Sequence, residues 1–377
     1  MDGDGGGTAA TECDVVVIGA GIAGLAAAGV VAKTGRRVVV LEKSRGVGGR
    51  MATRRLGTAA FDHGAQFFTV RARAFGTIVA EAHAAGAVRK WCDGFAQAAA
   101  NDAAPTAAGD GHPRWCGDRG MTDLPKRLAA GLTAGPCAVS CDAKALSIGI
   151  DDGRVRVAVE QCGGRDPSSP GGTAPAVTTV IRAAGAIVTS PVPQSLDLLA
   201  SGGLLVPDGG PVDAEALRLL ATVDYDPCFT LMLVLDRPSR VPPPGGIQFA
   251  SGPIAWLADN LQKGISSVPA LTLHASAAFS REHFDAPQDR VAGMLLDLAR
   301  PWIDGPAETA VIDRSLHRWK FSQPTVVLPT PLVAAAHAPP IVCCGDAFGG
   351  PRVEGAASSG LAAGRWMVRV LETPAGR

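Results

Sequence analysis

The sequence predicts an α/β protein built on a dinucleotide-binding βαβ unit of the Rossmann type, and three observations predict it. A glycine string, Gly19-Ala20-Gly21-Ile22-Ala23-Gly24, directly follows the apolar run at residues 14–18. Glu42 stands 18 residues beyond the last of those glycines, at the end of a second apolar run. Near the other end, the apolar residues 341–344 enter Gly345-Asp346 and are followed by a long helical stretch at 355–371.

Each element has a local reason. Val15-Val16-Val17-Ile18 is β-branched without a polar break, the pattern of a parallel strand buried on both faces. Residues 22–34 are alanine-rich and free of proline, which predicts a helix, and residues 37–41 supply the next strand. Gly19 allows the tight turn, Gly21 the close approach of a pyrophosphate, and Gly24 close packing of helix on strand. The helix N-terminus offers unpaired N–H groups and partial positive charge to phosphates. Glu42 can accept both ribose hydroxyls of an adenosine and would repel a 2′-phosphate. The competing reading is a tight turn without a ligand, and it leaves the flanking strands and the acid unexplained.

Composition narrows the class. At 377 residues the chain exceeds one ordinary core, which predicts two domains or one large domain with a lobe. With 47% hydrophobic and 19% charged residues it is globular and not disordered. Lys+Arg and Asp+Glu both number 35, so net charge favours neither nucleic acid nor an acidic membrane surface. The nine cysteines show no CxxC or Cys/His ligand spacing, so no metal is expected, and Cys343-Cys344 reads as buried thiols. An odd cysteine count without a secretory signal fits a reducing compartment. The first thirteen residues are acidic and glycine-rich and read as a flexible tail. No stretch reaches about 18 uninterrupted apolar residues, so no spanning helix is expected. The expectation is a soluble, cytoplasmic protein.

Between the two nucleotide elements the pattern changes. Helices are predicted over residues 73–85, 121–132 and 287–299, and strands over 138–146, 154–160, 177–181, 186–189, 229–235 and 270–275. Residues 87–91 and 112–116 bracket a low-complexity stretch, 96–111, that reads as a long loose hairpin loop; 162–176 reads as a second loose loop. The expected division is a tail at 1–13, a nucleotide domain from 14–72, 118–193 and 338–377, and a lobe from 73–117 and 194–337 that can cap the cofactor.

Two further elements separate FAD from NAD. Gly48-Gly49-Arg50 follows the ribose acid: paired glycines let backbone crowd a pyrophosphate or flavin, and Arg50 can offset its charge. The strand into Gly345-Asp346 makes a second strand–turn–helix, in which Asp346 can accept a sugar-chain hydroxyl. The N–H groups near Val353 and Glu354 could stabilise negative charge at the N1/O2 edge of a reduced flavin. Arg50 as a solvated arginine and Asp346 as a turn or N-cap aspartate are the plainer alternatives.

On these residues the chain resembles the renalase family, within the larger class of FAD-dependent amine oxidases. The resemblance is carried by Gly19–Gly24, Glu42-Lys43, Gly48-Gly49-Arg50-Met51, Asp62-His63-Gly64-Ala65-Gln66-Phe67, Gly120-Met121, Trp319-Lys320-Phe321-Ser322-Gln323 and Cys344-Gly345-Asp346. It implies a doubly wound βαβ FAD-binding domain with a β-rich α+β substrate lobe. It also implies that Ala23, Glu42, Arg50, Gln66, Phe67 and Asp346 contact FAD, with Gln66 and Phe67 nearer the flavin ring and the Ala143 backbone near adenine. The larger class usually shows Arg-x-Gly-Gly-Arg, whereas here Gly46 stands at the first arginine's position and Arg45 one residue early. No cysteine stands where covalently flavinylated relatives carry theirs, so non-covalent FAD is expected.

By the same resemblance, the expected reaction is oxidation of misreduced dihydronicotinamides, 2- or 6-dihydro-NAD(P), with dioxygen reoxidising the flavin to give hydrogen peroxide. Such a donor regains aromaticity on losing hydride, so no general base is required, and no catalytic residue is assigned. A flavin amine oxidase is the alternative, though Tyr225 is the only tyrosine and a tyrosine pair around a substrate amine is impossible. A partner-binding protein without redox chemistry, as in Rab GDP-dissociation inhibitors, is the third reading. Arg318 and Lys320 alternate with Trp319 on a predicted strand; contact with a phosphate or flavin edge and a structural tryptophan with exposed bases both stand. His63 is read as a satisfied loop residue.

Overall fold

A computed structural model describes residues 11–100, 104–161, 177–206 and 210–373. The fold is mixed α/β, and the chain divides into two compact units. The first contains residues 1–49, 128–224 and 326–377, the second 50–127 and 225–325.

The first unit is organised by one eight-stranded sheet. Its parallel centre runs Pro340–Cys343, Val177–Val188, Thr11–Ile18, Val38–Leu41, Cys137–Ser140, with Val15 paired to both Val38 and Gly185. Strands Val333–His337, Arg154–Gln161 and Ala143–Asp151 extend it by antiparallel pairing. Val15, Val17, Val38, Val40, Ile187 and Val342 form one face of the core with Leu25, Ala28 and Val31 of helix Ile22–Ala32. That helix lies backbone to backbone on the C-terminal helix Val353–Glu372: a Cβ at Gly360 would overlap the Ala23 carbonyl, and one at Gly364 would come within 2.7 Å of Ala27 O.

The second unit carries a seven-stranded sheet in the order Val311–Pro324, Tyr225–Leu235, Ala270–Ala275, Ile254–Asp259, Gly246–Phe249, Val88–Ala98, Thr106–Gly117. All pairs are antiparallel except Gly246–Phe249 with Val88–Ala98. Phe229, Leu231, Leu233, Leu271 and Leu273 pack with Val291 and Leu295 of helix Gln288–Ala299. Each such buried side chain is worth about 1.5–3 kcal/mol of transfer free energy. A two-stranded ribbon, Thr53–Leu56 with Ala59–Asp62, places Ala59 and Phe61 against Met232 and Ala270.

Several expectations need correction. The tail is shorter, because Thr11–Ile18 is strand from its first residue and pairs with Ile181 onward; residues 1–10 lie outside the described residues. Of the loose hairpin loop over 96–111, residues 96–98 and 106–111 are strand, with Ala96 opposite Ala107 and Ala98 buried, and residues 101–103 lie outside the described residues. Small residues suffice for a strand when a neighbouring sheet face covers them. The single strand over 138–146 is two strands, separated at Asp142, whose φ of 53° breaks the extended path. The strands at 177–181 and 186–189 are one continuous strand; Gly185 is not a break but a close approach, since a Cβ there would sit 2.6 Å from Met367 Sδ. The expected loop 162–176 lies outside the described residues. Residues 50–72 and 118–127 cluster with the second unit rather than with the nucleotide domain, and 194–224 and 326–337 with the first.

Candidate functional site

In the first unit, strands Thr11–Ile18 and Pro340–Cys343 flank Val177–Val188 in parallel, with Ile18 opposite Val188 and Val188 opposite Cys343. The two strand-to-helix corners therefore leave the same edge of the sheet two inter-strand steps apart, about 10 Å. Thr189, which sequence reasoning missed, stands between them. Its hydroxyl donates to Ile18 O at 2.9 Å and reaches Gly19 O at 3.2 Å. A hydroxyl that bonds only backbone carbonyls leaves no motif to read.

The glycines divide the labour of the first corner. Gly19 has φ 103°, and Gly24 is crowded so closely that a Cβ would overlap Gly19 O. Gly21 differs: nothing lies within 4 Å of where its Cβ would be. It is also the N-cap of helix Ile22–Ala32, and no side chain caps the first-turn N–H groups, Ala23 among them. Gly48 joins this corner through its N–H to Ala20 O at 2.9 Å, and Gly49 approaches Gly21.

Glu42 is buried and its two carboxylate oxygens accept from Ala20 N at 3.0 Å and Ser44 N at 2.9 Å, which fixes the side chain and leaves lone pairs free on both oxygens. Its carbonyl accepts from Ala143 N at 2.9 Å, so Ala143 stands beside the acid. Lys43 is exposed. At the second corner, Gly345 (φ 142°) donates its N–H to Ser359 Oγ, Asp346 is buried in the 3-10 turn Asp346–Phe348, and Val353 and Glu354 open a helix with no side-chain cap.

The second unit holds the remaining expected residues around a polar centre. Asp62 and Lys263, both fully buried, form a salt bridge at 2.6 Å. Gln66 sits on it through its backbone, and its amide nitrogen donates to Asp62 O at 2.5 Å. Phe67 packs with Phe95 and Trp256. Arg50 donates to Ser322 O at 3.2 Å and lies 5.7 Å from the centre of the Tyr225 ring. His63 is stacked on Trp319, and its carbonyl accepts from the indole N–H at 2.9 Å. Burial, then the neighbouring His317, pushes its imidazole down to about 3. Burial and the Lys263 charge push His274 down to about 4. Arg318 and Lys320 are exposed while Trp319 is turned inward; Arg318 covers Phe284 and Lys320 Phe321. Sequence reasoning missed Lys263 altogether, because a lysine in the polar turn after Ile254–Asp259 looks solvated. No group of three or more potential metal ligands occurs among the described residues.

Residues 17–81 match the family model of the NAD(P)-binding Rossmann-like domain. A stretch of 41 residues is 58% identical to an L-amino acid oxidase from Cerastes cerastes, covering 11% of this chain and 8% of that protein. The chain thus spans less than a tenth of that relative's length. Among solved structures, putrescine oxidase with putrescine bound matches over 96% of this chain and all of that one, at 14% identity and TM-score 0.65. A candidate protoporphyrinogen oxidase from Exiguobacterium sp. 255-15 matches over 97% of this chain and all of that one, also at 14% and 0.65. This chain shares their fold. No helix among the described residues is long and apolar enough to cross a membrane.

Proposed function

We propose that this chain is a cytoplasmic FAD-dependent oxidase that takes hydride from misreduced dihydronicotinamides, 2- or 6-dihydro-NAD(P), with dioxygen as final acceptor. The observation that carries the cofactor assignment is the pair of strand-to-helix corners about 10 Å apart, with Gly21 open to a ligand and Glu42 beside it. Gly19, Gly21, Ala23, Gly24 and Gly49 would take the pyrophosphate and Glu42 the ribose, with Lys43 and the Ala143 backbone on the adenosine side. Asp346 and the N–H groups of Val353 and Glu354 would take the far end, and Arg50, Gln66 and Phe67 would complete the contacts. Bound FAD would supply a hydride-accepting ring that dioxygen reoxidises, yielding hydrogen peroxide. The cofactor is non-covalent: burial raises every thiol whose shift is resolved, Cys343 to about 12, so no ready thiolate is offered for attachment.

The protein's own groups support a donor that needs no base. His63 and His274, held down at about 3 and about 4, are neutral near pH 7 and weak as bases. The Arg54 charge acts on both His63 and His317, and the carboxylate of Asp62 is already taken by Lys263. Such a positive setting opposes an ammonium substrate and suits a phosphate-bearing one. The flavin amine oxidase reading is favoured by the shared fold with putrescine oxidase. In the test, the FAD-reconstituted protein is mixed anaerobically with 6-dihydro-NAD and, separately, with putrescine, and the visible flavin band is followed. Bleaching by 6-dihydro-NAD is expected. Bleaching by the amine alone sinks the dihydronicotinamide reading, and the absence of any yellow complex leaves the partner-binding reading.

A further inference from the structure

The segment from Asp62 to Phe67 contains two of the residues assigned to the flavin side, yet its shape is dictated from 201 residues away along the chain. Lys263 Nζ donates to Asp62 Oδ2 at 2.6 Å and to Gln66 O at 2.5 Å, and stands 4.7 Å from the Trp91 ring centre. Its three N–H donors thus have three partners, and the two oxygens bracket the segment. Asp62 Oδ1 carries the tie further, accepting from Thr53 Oγ1 at 2.6 Å and Met121 N at 2.8 Å. Ala65 N in turn donates to Arg50 O at 2.8 Å. Thr53, Met121 and Lys263, from three separate segments, therefore meet on the Asp62 carboxylate.

The side chain of Gln66 is oriented from the same place. His274 Nε2 lies 3.2 Å from Gln66 Nε2. Burial, then the Lys263 charge, keeps that imidazole neutral; with the carboxamide nitrogen turned to two backbone carbonyls, the tautomer that fits has Nε2 accepting. Asp62 O and Gly64 O accept from the same nitrogen. The carbonyl end, Oε1, is left buried with no hydrogen-bond partner. A buried acceptor without a partner carries a desolvation cost that a well-placed donor would remove.

We propose that Lys263 is a positioning residue: paired with Asp62, and acting with His274, it fixes the main chain and carboxamide of Gln66 for contact with the cofactor. The proposal rests on the reading that Gln66 and Phe67 meet the flavin. A buried ion pair is weak evidence for stability, since an apolar pair of equal volume often does as well. Its retention here is explained by the geometry it imposes on one hexapeptide.

The test uses Lys263→Ala in the full chain, with FAD affinity, the visible flavin spectrum, and amide hydrogen exchange of the cofactor-free protein. The expected result is at least tenfold weaker FAD binding with shifted flavin bands, both partly restored by n-propylamine. Exchange should rise at least tenfold across residues 62–67 while strand Ala270–Ala275 stays protected. Wild-type affinity, spectrum and exchange in Lys263→Ala overturn the proposal. If that variant fails to fold, His274→Leu decides: a shifted spectrum supports the proposal and an unchanged one overturns it. If the wild-type protein binds no FAD, the functional reading fails instead, and exchange at 62–67 alone judges the positioning role.

Discussion

The two polar regions of this protein are built by opposite means. The nucleotide corners of the first unit are made of backbone: glycines that admit close approach, helix ends without side-chain caps, and one acid held by amide N–H groups. The centre of the second unit is made of side chains: a fully buried lysine and aspartate, a carboxamide and neutral imidazoles. The first is local. The second is long-range, and among the described residues of its unit the buried side-chain atoms without a hydrogen-bond partner are Gln66 Oε1, His63 Nδ1, Trp256 Nε1 and Asn260 Oδ1. Backbone sites present donors to whatever anion arrives, whereas a buried charge network specifies one arrangement of the chain.

The largest effect should come from breaking the charge network. Asp62→Ala leaves the Lys263 ammonium buried and unpaired, and a loss of about 3–5 kcal/mol is expected in urea unfolding. A loss under about 1 kcal/mol would mean that water or a shifted partner replaces the carboxylate, and the contrast between the regions would weaken.

Next is the pH response of the second region. His63 and His274 hold their folded pKa values near 3 and 4, below the unfolded value of about 6.5. Between those limits the unfolded chain binds more protons than the native one, so stability rises with pH through this window and falls as pH drops from about 6.5 toward 4. His274 alone contributes on the order of 3 kcal/mol to that slope. His274→Gln, measured by melting temperature from pH 7 to 4, should flatten the curve; an unchanged slope would assign the acid sensitivity to other groups.

The glycines sharpen the first half of the comparison. Gly24→Ala drives a methyl into Gly19 O and should cost about 1–3 kcal/mol together with FAD binding. Gly21→Ala meets no protein atom and should keep the wild-type melting temperature while weakening FAD binding. Equal melting losses in the two variants would contradict the division of labour between them.

The smallest effect should be at Glu42. Glu42→Gln keeps an acceptor but loses charge, and FAD affinity measured by fluorescence quenching should fall about tenfold, equivalent to about 1.4 kcal/mol. A loss of about 1 kcal/mol in stability is expected as well, because a carboxamide oxygen can accept from only one of Ala20 N and Ser44 N.

The difference in legibility follows the same division. Gly19 to Glu42 could be read because every requirement of that corner falls within one strand–helix–strand passage, and each glycine answers a steric demand from its immediate neighbours. Helix Arg73–Ala84 and strand Ala270–Ala275 were legible from local composition, the one alanine-rich and the other an apolar run, for the same reason. The hairpin around Ala96 was not, since alanine and glycine form a strand only when another strand lies beside them. Nor was the place of residues 50–72, which the Asp62–Lys263 tie draws toward the second unit.

Taken alone, the chain's order of residues determined the α/β class, the glycine corner, the acid that ends the second strand run and the second strand–turn–helix near the C-terminus. Only tertiary structure decided that the two corners share one sheet edge with Thr189 between them, and that a lysine from a polar turn is the most deeply buried cation of its unit. Backbone geometry is set by near neighbours, while the partner of a buried charge is chosen by whichever distant segment the fold brings to it.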